Sequence, residues 1–312
     1  MRAYCFDGEC RDGMSGEYGP PFELQHTKHY VYQRASLNNM PLLDGPVRRY
    51  SRGLARRLNA RLRPYRFLIY ASARSGSTSL TKALNCYAGI ECASEPFNPE
   101  FYKNLRDEVT DLPSLQREIA RLWRHYNGFK HVWEYRGWPF DQPLFNDYIV
   151  SSAAATVILL HRRNLLQRIV SDDISHQSNV WHIDRGEERA KLLDHPFEPL
   201  DRASVRQRLE VERQAFTDVQ RRLEEVRVPY KVVSYEQLFG ARSEGEKLSV
   251  LGEMISFITK APFKPKKLGS EALAIMDPAE KRLNSSKTYE LIPLIHEVED
   301  EFGCDETGYL FR

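Results

Sequence analysis

RFLIYASARSGSTSLTKALN, residues 66–85, changes character halfway along. Phe67, Leu68, Ile69, Tyr70 and Ala71 form an unbroken apolar run that gives way to small and polar residues, and Leu80 and Leu84 follow at a spacing that shares one helix face. The stretch therefore predicts a strand, a tight loop and a helix start. Ser72, Ala73, Arg74, Ser75, Gly76, Ser77 and Thr78 carry little bulk apart from Arg74, so backbone N–H groups are able to converge on an anion at the helix N-terminus. Arg74 adds a fixed positive charge there. An ordinary serine-capped turn between strand and helix is the alternative.

Working outward, further short apolar runs recur. Residues 90–94 read as a short strand, and the following Glu95-Pro96-Phe97-Asn98-Pro99 cannot be helical, which leaves Glu95 at a strand end or in the loop after it. Residues 129–133 (FKHVW), 156–160 (TVILL) and 230–234 (YKVVS) are further strands, TVILL being continuous enough for burial on both faces of a parallel sheet. Helical spacing is present over residues 112–126, after the capping Asn164, and over 201–226, 248–258 and 289–302. Residues 260–288, rich in Lys, Pro and Gly, read as one long loop. Strands alternating with helices predict an α/β fold with a mostly parallel central sheet flanked by helices, whose ligands bind beyond the carboxyl ends of the strands. Residues 72–78, Glu95, 130–134 and 161–163 fall at those ends.

With 312 residues and 41% hydrophobic content the chain is long enough to bury a sizeable core. Lys and Arg total 45 against 43 acidic residues, so the net charge of +2 gives no general case for nucleic acid or membrane binding, and any anion site is local. Cys5, Cys10, Cys86, Cys92 and Cys304 match no zinc spacing and no disulfide framework, which points to a reducing compartment, with a Cys5–Cys10 pair as the oxidising alternative. No run approaches the roughly 18–20 apolar residues of a membrane span and no apolar signal core opens the chain, so the expected location is cytoplasmic. Residues 1–60 read as an extension rich in turn formers, with a basic amphipathic helix over 47–62, ahead of the main domain at 61–312.

The loop lacks the G-x-x-x-x-G-K-[ST] pattern of nucleoside triphosphatases. Its A-R-S-G-S-T form resembles instead the 5′-phosphosulfate loop of sulfotransferases that use 3′-phosphoadenosine-5′-phosphosulfate, in particular the bacterial and carbohydrate branches. Cytosolic small-molecule members usually carry lysine at the position of Arg74. TVILLHRRNLLQRIVS is similar to the family's 3′-phosphate motif, an arginine at a strand end and a serine eight residues on, matched here by Arg163 and Ser171. A register starting at Arg162 puts Val170 at the serine position and is the poorer match. Ser94-Glu95-Pro96-Phe97-Asn98 and VVSYEQL resemble two supporting segments of the same superfamily. The resemblance covers about residues 66–303.

What the resemblance implies is a P-loop NTPase-like sulfotransferase fold and sulfuryl transfer to an acceptor hydroxyl, on a carbohydrate or glycolipid, with no metal required. A small metabolite or a peptide tyrosine is the alternative acceptor, and a nucleotide-binding module without catalysis is the alternative of another class. Arg74 would stabilise charge on the bridging oxygen and leaving 5′-phosphate, which Ser75, Gly76, Ser77, Thr78 and Ser79 would cradle. Glu95 is the first candidate for the base that takes the acceptor proton, with His131 and Glu134 in reserve. KRLNSSKTYEL, with Arg282, Asn284, Ser286 and Lys287, resembles the late basic segment that closes over the 3′-phosphate, although it departs from the R-K-G form of the cytosolic enzymes. Trp123, Trp133, Trp138 and Trp181 are the aromatic faces available for a sugar.

Overall fold

The computed structural model describes residues 65–98, 108–134, 142–153, 156–181, 186–240, 243–277 and 285–311. The extension to residue 60 with its basic helix, Trp138, Arg282 and Asn284 lie outside the described residues.

Strands β1 (Phe67–Ala71), β2 (Cys92–Ala93), β3 (Gly128–Val132), β4 (Thr156–His161) and β5 (Tyr230–Ser234) form a sheet of order β2-β3-β1-β4-β5. All four pairings are parallel. β1 is central and pairs in register with β3 through Phe67↔Gly128 and with β4 through Phe67↔Thr156. It is buried along its whole length, which explains its unbroken apolar sequence.

Alternation along β1 divides the core into two layers. Phe67, Ile69 and Ala71 pack with Ile158, Leu160 and Val233 against helices α1 (Ser77–Leu84), α8 (Glu244–Thr259) and α9 (Glu271–Met276). Leu68 and Tyr70 pack with Phe129, Trp133, Val157 and Leu159 on the other face, under α2 (Leu112–Leu122), α3 (Gln142–Ala153) and the end of α6 (Arg202–Glu225). A third apolar cluster joins α4 (Leu165–Ser178), α5 (Gly186–Leu193), the start of α6, α10 (Ser286–Tyr289) and α11 (Ile295–Phe302). α7 (Tyr235–Phe239) follows β5 directly, capped by Ser234. Among the described residues no helix is long and apolar enough to cross a membrane.

The expected α/β fold with its parallel sheet is observed, and each expected strand is present with its ends shifted by two residues or fewer. Two expectations are corrected. Residues 260–288 are not one loop: a 3₁₀ turn at Pro265–Lys267 and α9 lie within them. Ala272 and Met276 of α9 are fully buried, and Leu268 bridges to Tyr87, so tertiary contacts order a segment whose composition suggested none. The helix expected over 289–302 is broken between α10 and α11, where Pro293 removes a donor and Leu294 adopts φ 60°. Helices α3 and α5 were not foreseen.

Packing of β1 on β3 rests on one small residue. The Phe67 ring lies over Gly128, where an added Cβ would come within 2.1 Å of it. Gly128→Ala is expected to destabilise the fold by about 1–3 kcal/mol, and Phe67→Leu in the same chain to recover part of that loss, as read by urea denaturation of the two single variants and the double variant.

Candidate functional site

β1 is the strand at which the chain changes direction across the sheet, so the crevice beyond its carboxyl end is flanked by the ends of β3 and β4. The loop of residues 72–76 occupies that crevice and is fixed at three points. Ser72 N–H donates to the Leu160 carbonyl at 3.3 Å. Ser75 Oγ donates back to the Ser72 carbonyl at 2.6 Å. Ala73 N–H donates to Glu134 Oε2 at 2.5 Å, beyond the end of β3.

Two left-handed residues, Arg74 (φ 59°) and Gly76 (φ 81°), turn the chain sharply between these points. Gly76 is required twice over, because a Cβ there would also meet the Phe239 ring at 2.6 Å and the Tyr235 ring at 3.0 Å. No side chain caps α1, and among the described residues no acceptor reaches the N–H groups of Ser77, Thr78 and Ser79. Those donors and the positive end of the helix dipole converge on one spot.

Arg74, in the loop that leads into this helix end, has its guanidinium oriented by two bonds. Nε donates to Ser171 Oγ at 3.0 Å and Nη1 to the Trp181 carbonyl at 2.9 Å. Burial pulls its pKa down to about 10; Asp172 opposes this, and Arg162 and Arg168 add to it, so the group stays cationic at neutral pH. Ser171, on α4 and fully buried, is thus brought to the loop from a position 97 residues away.

Arg163 is not brought there with it. Its side chain is 63% exposed, and its Nε lies 3.5 Å from Glu236 Oε2. Burial works against the Glu236 carboxylate, but the N–H groups of Asn164 and Arg163, with the Arg162 charge, hold its pKa below the usual glutamate value. Arg162 turns inward instead and is 2% exposed. Its guanidinium stacks on Tyr235 at 4.4 Å and donates through Nη2 to Gln167 Oε1 at 2.6 Å. Lys287 is exposed on α10.

Glu95 is held in the left-handed region at φ 49°. Lys130 Nζ ion-pairs with its Oε1, and Asn98 Nδ2 donates to its Oε2 at 2.8 Å. The same ammonium donates to Thr78 Oγ1 at 2.8 Å, so one side chain spans the first turn of α1 and Glu95. Lys130 is 1% exposed, and burial lowers its pKa against the pull of Glu95. His131, its neighbour on β3, points to the other layer. It stacks on Tyr70, meets Phe145 edge-on and faces Asn146 Oδ1 at 2.9 Å. Burial pushes its pKa down to about 4, and it packs as a neutral core residue.

Behind the loop, Glu134 passes the load to a buried chain of charges. Its Oε1 pairs with Arg168, whose Nε lies 2.8 Å from Glu212 Oε2 on α6. Arg208, on the same helix, bridges Asp172 and Asp173 at 2.8 and 2.6 Å. Arg162 as an inward residue, Lys130 as a bridge and Arg168 as an anchor were missed from the sequence. The available signal was a lone charge inside an apolar segment, FKHVW for Lys130 and LLQRIV for Arg168.

No protein-family model matches the chain, and no curated protein matches its sequence.

Glu212 gives this network a pH signature. Burial raises its pKa to about 7; Arg168 counters that, Glu134 adds to it, and Arg208 and Asp172 act in opposite senses. The folded state therefore binds the Glu212 proton more tightly than the unfolded chain does, and the stability linked to it is present below about pH 4 and lost as pH rises towards 7. Between about pH 5 and 7 the Tm of wild type is expected to fall relative to that of Glu212→Gln, measured by calorimetry in matched buffers.

Proposed function

We propose that the chain is a sulfotransferase that moves a sulfuryl group from 3′-phosphoadenosine-5′-phosphosulfate to an acceptor hydroxyl. The observation that carries this reading is Arg74, a cation in the loop that leads into the uncapped N-terminus of α1 and oriented by Ser171 from the second motif. A lysine-bearing triphosphate loop is absent from the sequence, and the donor set suits a group already activated as a mixed anhydride. The unpaired N–H groups of Ser77, Thr78 and Ser79 fit the oxygens of the donor's 5′-phosphate.

The bond from sulfur to the bridging oxygen breaks, and one from sulfur to the acceptor oxygen forms. Arg74 stabilises the charge that collects on the bridging oxygen and 5′-phosphate. Glu95, its carboxylate steered by Lys130 and Asn98, takes the acceptor proton. Adenosine 3′,5′-bisphosphate leaves. Ser171, Arg163, Arg282 and Lys287 serve the 3′-phosphate, and His131 acts through packing rather than as the base.

For the acceptor we propose a carbohydrate or glycolipid hydroxyl. Trp181, partly exposed, belongs to the residue whose carbonyl Arg74 grips and offers an indole face for a sugar ring. Cys92 and Cys304 are free thiols, which fits a reducing, cytoplasmic location.

Transfer from sulfur-labelled donor onto a cellular glycan extract tests the reading. Arg74→Ala is expected to lower incorporation by about a hundredfold or more, and Glu95→Gln by about 10²–10⁴ with bisphosphate binding retained. Equal incorporation by wild type and Arg74→Ala would remove the proposed mechanism. Label found only on small phenols or peptide tyrosine would change the acceptor class, and tight bisphosphate binding without any transfer would favour a non-catalytic nucleotide module.

A further inference from the structure

Arg162 carries a buried charge whose hydrogen bonds the described residues leave largely unmade. Among the described residues, its Nε and Nη1 atoms are shielded from solvent and have no hydrogen-bond partner, while Nη2 donates to Gln167. Gln167 has no freedom to do otherwise. Its amide nitrogen is held by the Tyr309 and Leu310 carbonyls at 2.9 and 3.2 Å, which turns its oxygen towards Arg162. Glu236, the carboxylate nearby, already accepts from the N–H groups of Arg163 and Asn164 through its two oxygens. Tyr235 supplies a π face but no negative charge.

An unpaired guanidinium in a dry interior is costly to a fold that gains nothing from it. Its location suggests what it gains. The Tyr235 ring under Arg162 is the one that Gly76 of the loop abuts, and the Arg162 and Arg74 charges repel each other. With water excluded from Arg162, its field reaches the loop with little screening.

We infer that Arg162 is the second cation of the loop's anion site, a specificity-determining residue whose buried charge favours a phosphate or phosphosulfate of total charge −2 over singly charged anions. This rests on the sulfotransferase reading only for the identity of the ligand. The chemistry required is a phosphate or sulfate group at the α1 N-terminus. Arg163, exposed and neutralised by Glu236, adds little to that selectivity.

The test is calorimetric titration of wild type, Arg162→Met, Arg162→Lys and Arg163→Ala with adenosine 5′-monophosphate, adenosine 3′,5′-bisphosphate and inorganic phosphate, beside the unliganded Tm of each. Arg162→Met is expected to weaken all three ligands by about tenfold or more, with an unliganded Tm equal to or above that of wild type. Arg162→Lys, which keeps a cation but loses the stacked planar guanidinium, is expected to bind more tightly than Arg162→Met and more weakly than wild type. Affinity of wild type for the monophosphate should rise from pH 5 to 7, as the phosphate gains its second charge near pH 6, and that rise should flatten in Arg162→Met.

Wild-type affinity in Arg162→Met, or a loss confined to the bisphosphate, overturns the inference and leaves the sulfotransferase reading standing. A fall in Tm with binding intact overturns it as well, since Arg162 would then be structural. Phosphate binding that depends on Arg162, without binding of either nucleotide, upholds the inference and sinks the donor assignment. Wild type that binds none of the three overturns both.

Discussion

Burial of β1 on both faces and along both edges is the constraint from which the rest of the molecule follows. A five-residue strand with two parallel neighbours has no polar group to spare, so every side chain from Phe67 to Ala71 is apolar or has its polar end buried. The first place the chain is able to present chemistry is therefore just past Ala71. The loop that follows is short and rigid, hung from β4 through Ser72 and from the β3 end through Ala73. The site is a product of sheet order, with β3 and β4 delivering Glu134 and Arg162 to either side of one loop.

Electrostatics at that loop are deliberately unbalanced. Carboxylates are plentiful nearby, yet each is engaged: Glu134 with Ala73 and Arg168, Glu95 with Lys130 and Asn98, Glu236 with two backbone N–H groups. What remains is the Arg74 and Arg162 guanidiniums, which repel each other, and a helix end without a cap. Such an arrangement stores unfavourable energy that an anion relieves, which is how binding energy becomes available for positioning rather than for holding the fold together.

Much of this was legible in the sequence, and the parts that were not have physical causes. A strand buried on both faces writes itself as an apolar run, so TVILL was read almost to the residue. The loop and the serine that meets it were readable because small residues and a lone arginine leave few other conformations. Arg162 and Arg163 are a different matter, because which of two adjacent arginines turns inward depends on where a pleated strand ends, and β4 runs on to His161. α9 was hidden because a six-residue helix has no periodicity of its own and exists through burial of Ala272 and Met276. Pro293 was a visible breaker within the 289–302 segment, outvoted by the apolar spacing around it.

The Gln167 clamp has a consequence for biosynthesis. Its amide is pinned by Tyr309, 142 residues further along the chain. At translation rates of about 5–20 residues per second, the loop and Arg162 emerge roughly 7–30 s, and the last strand of the sheet roughly 4–15 s, before the carbonyls that orient Gln167 exist. Through that interval the nascent protein holds its most awkward charge without the clamp that turns the Gln167 oxygen towards it. The anion pocket is thus the last part of the domain to mature, and a chain still on the ribosome has the architecture of the protein before it has the chemistry.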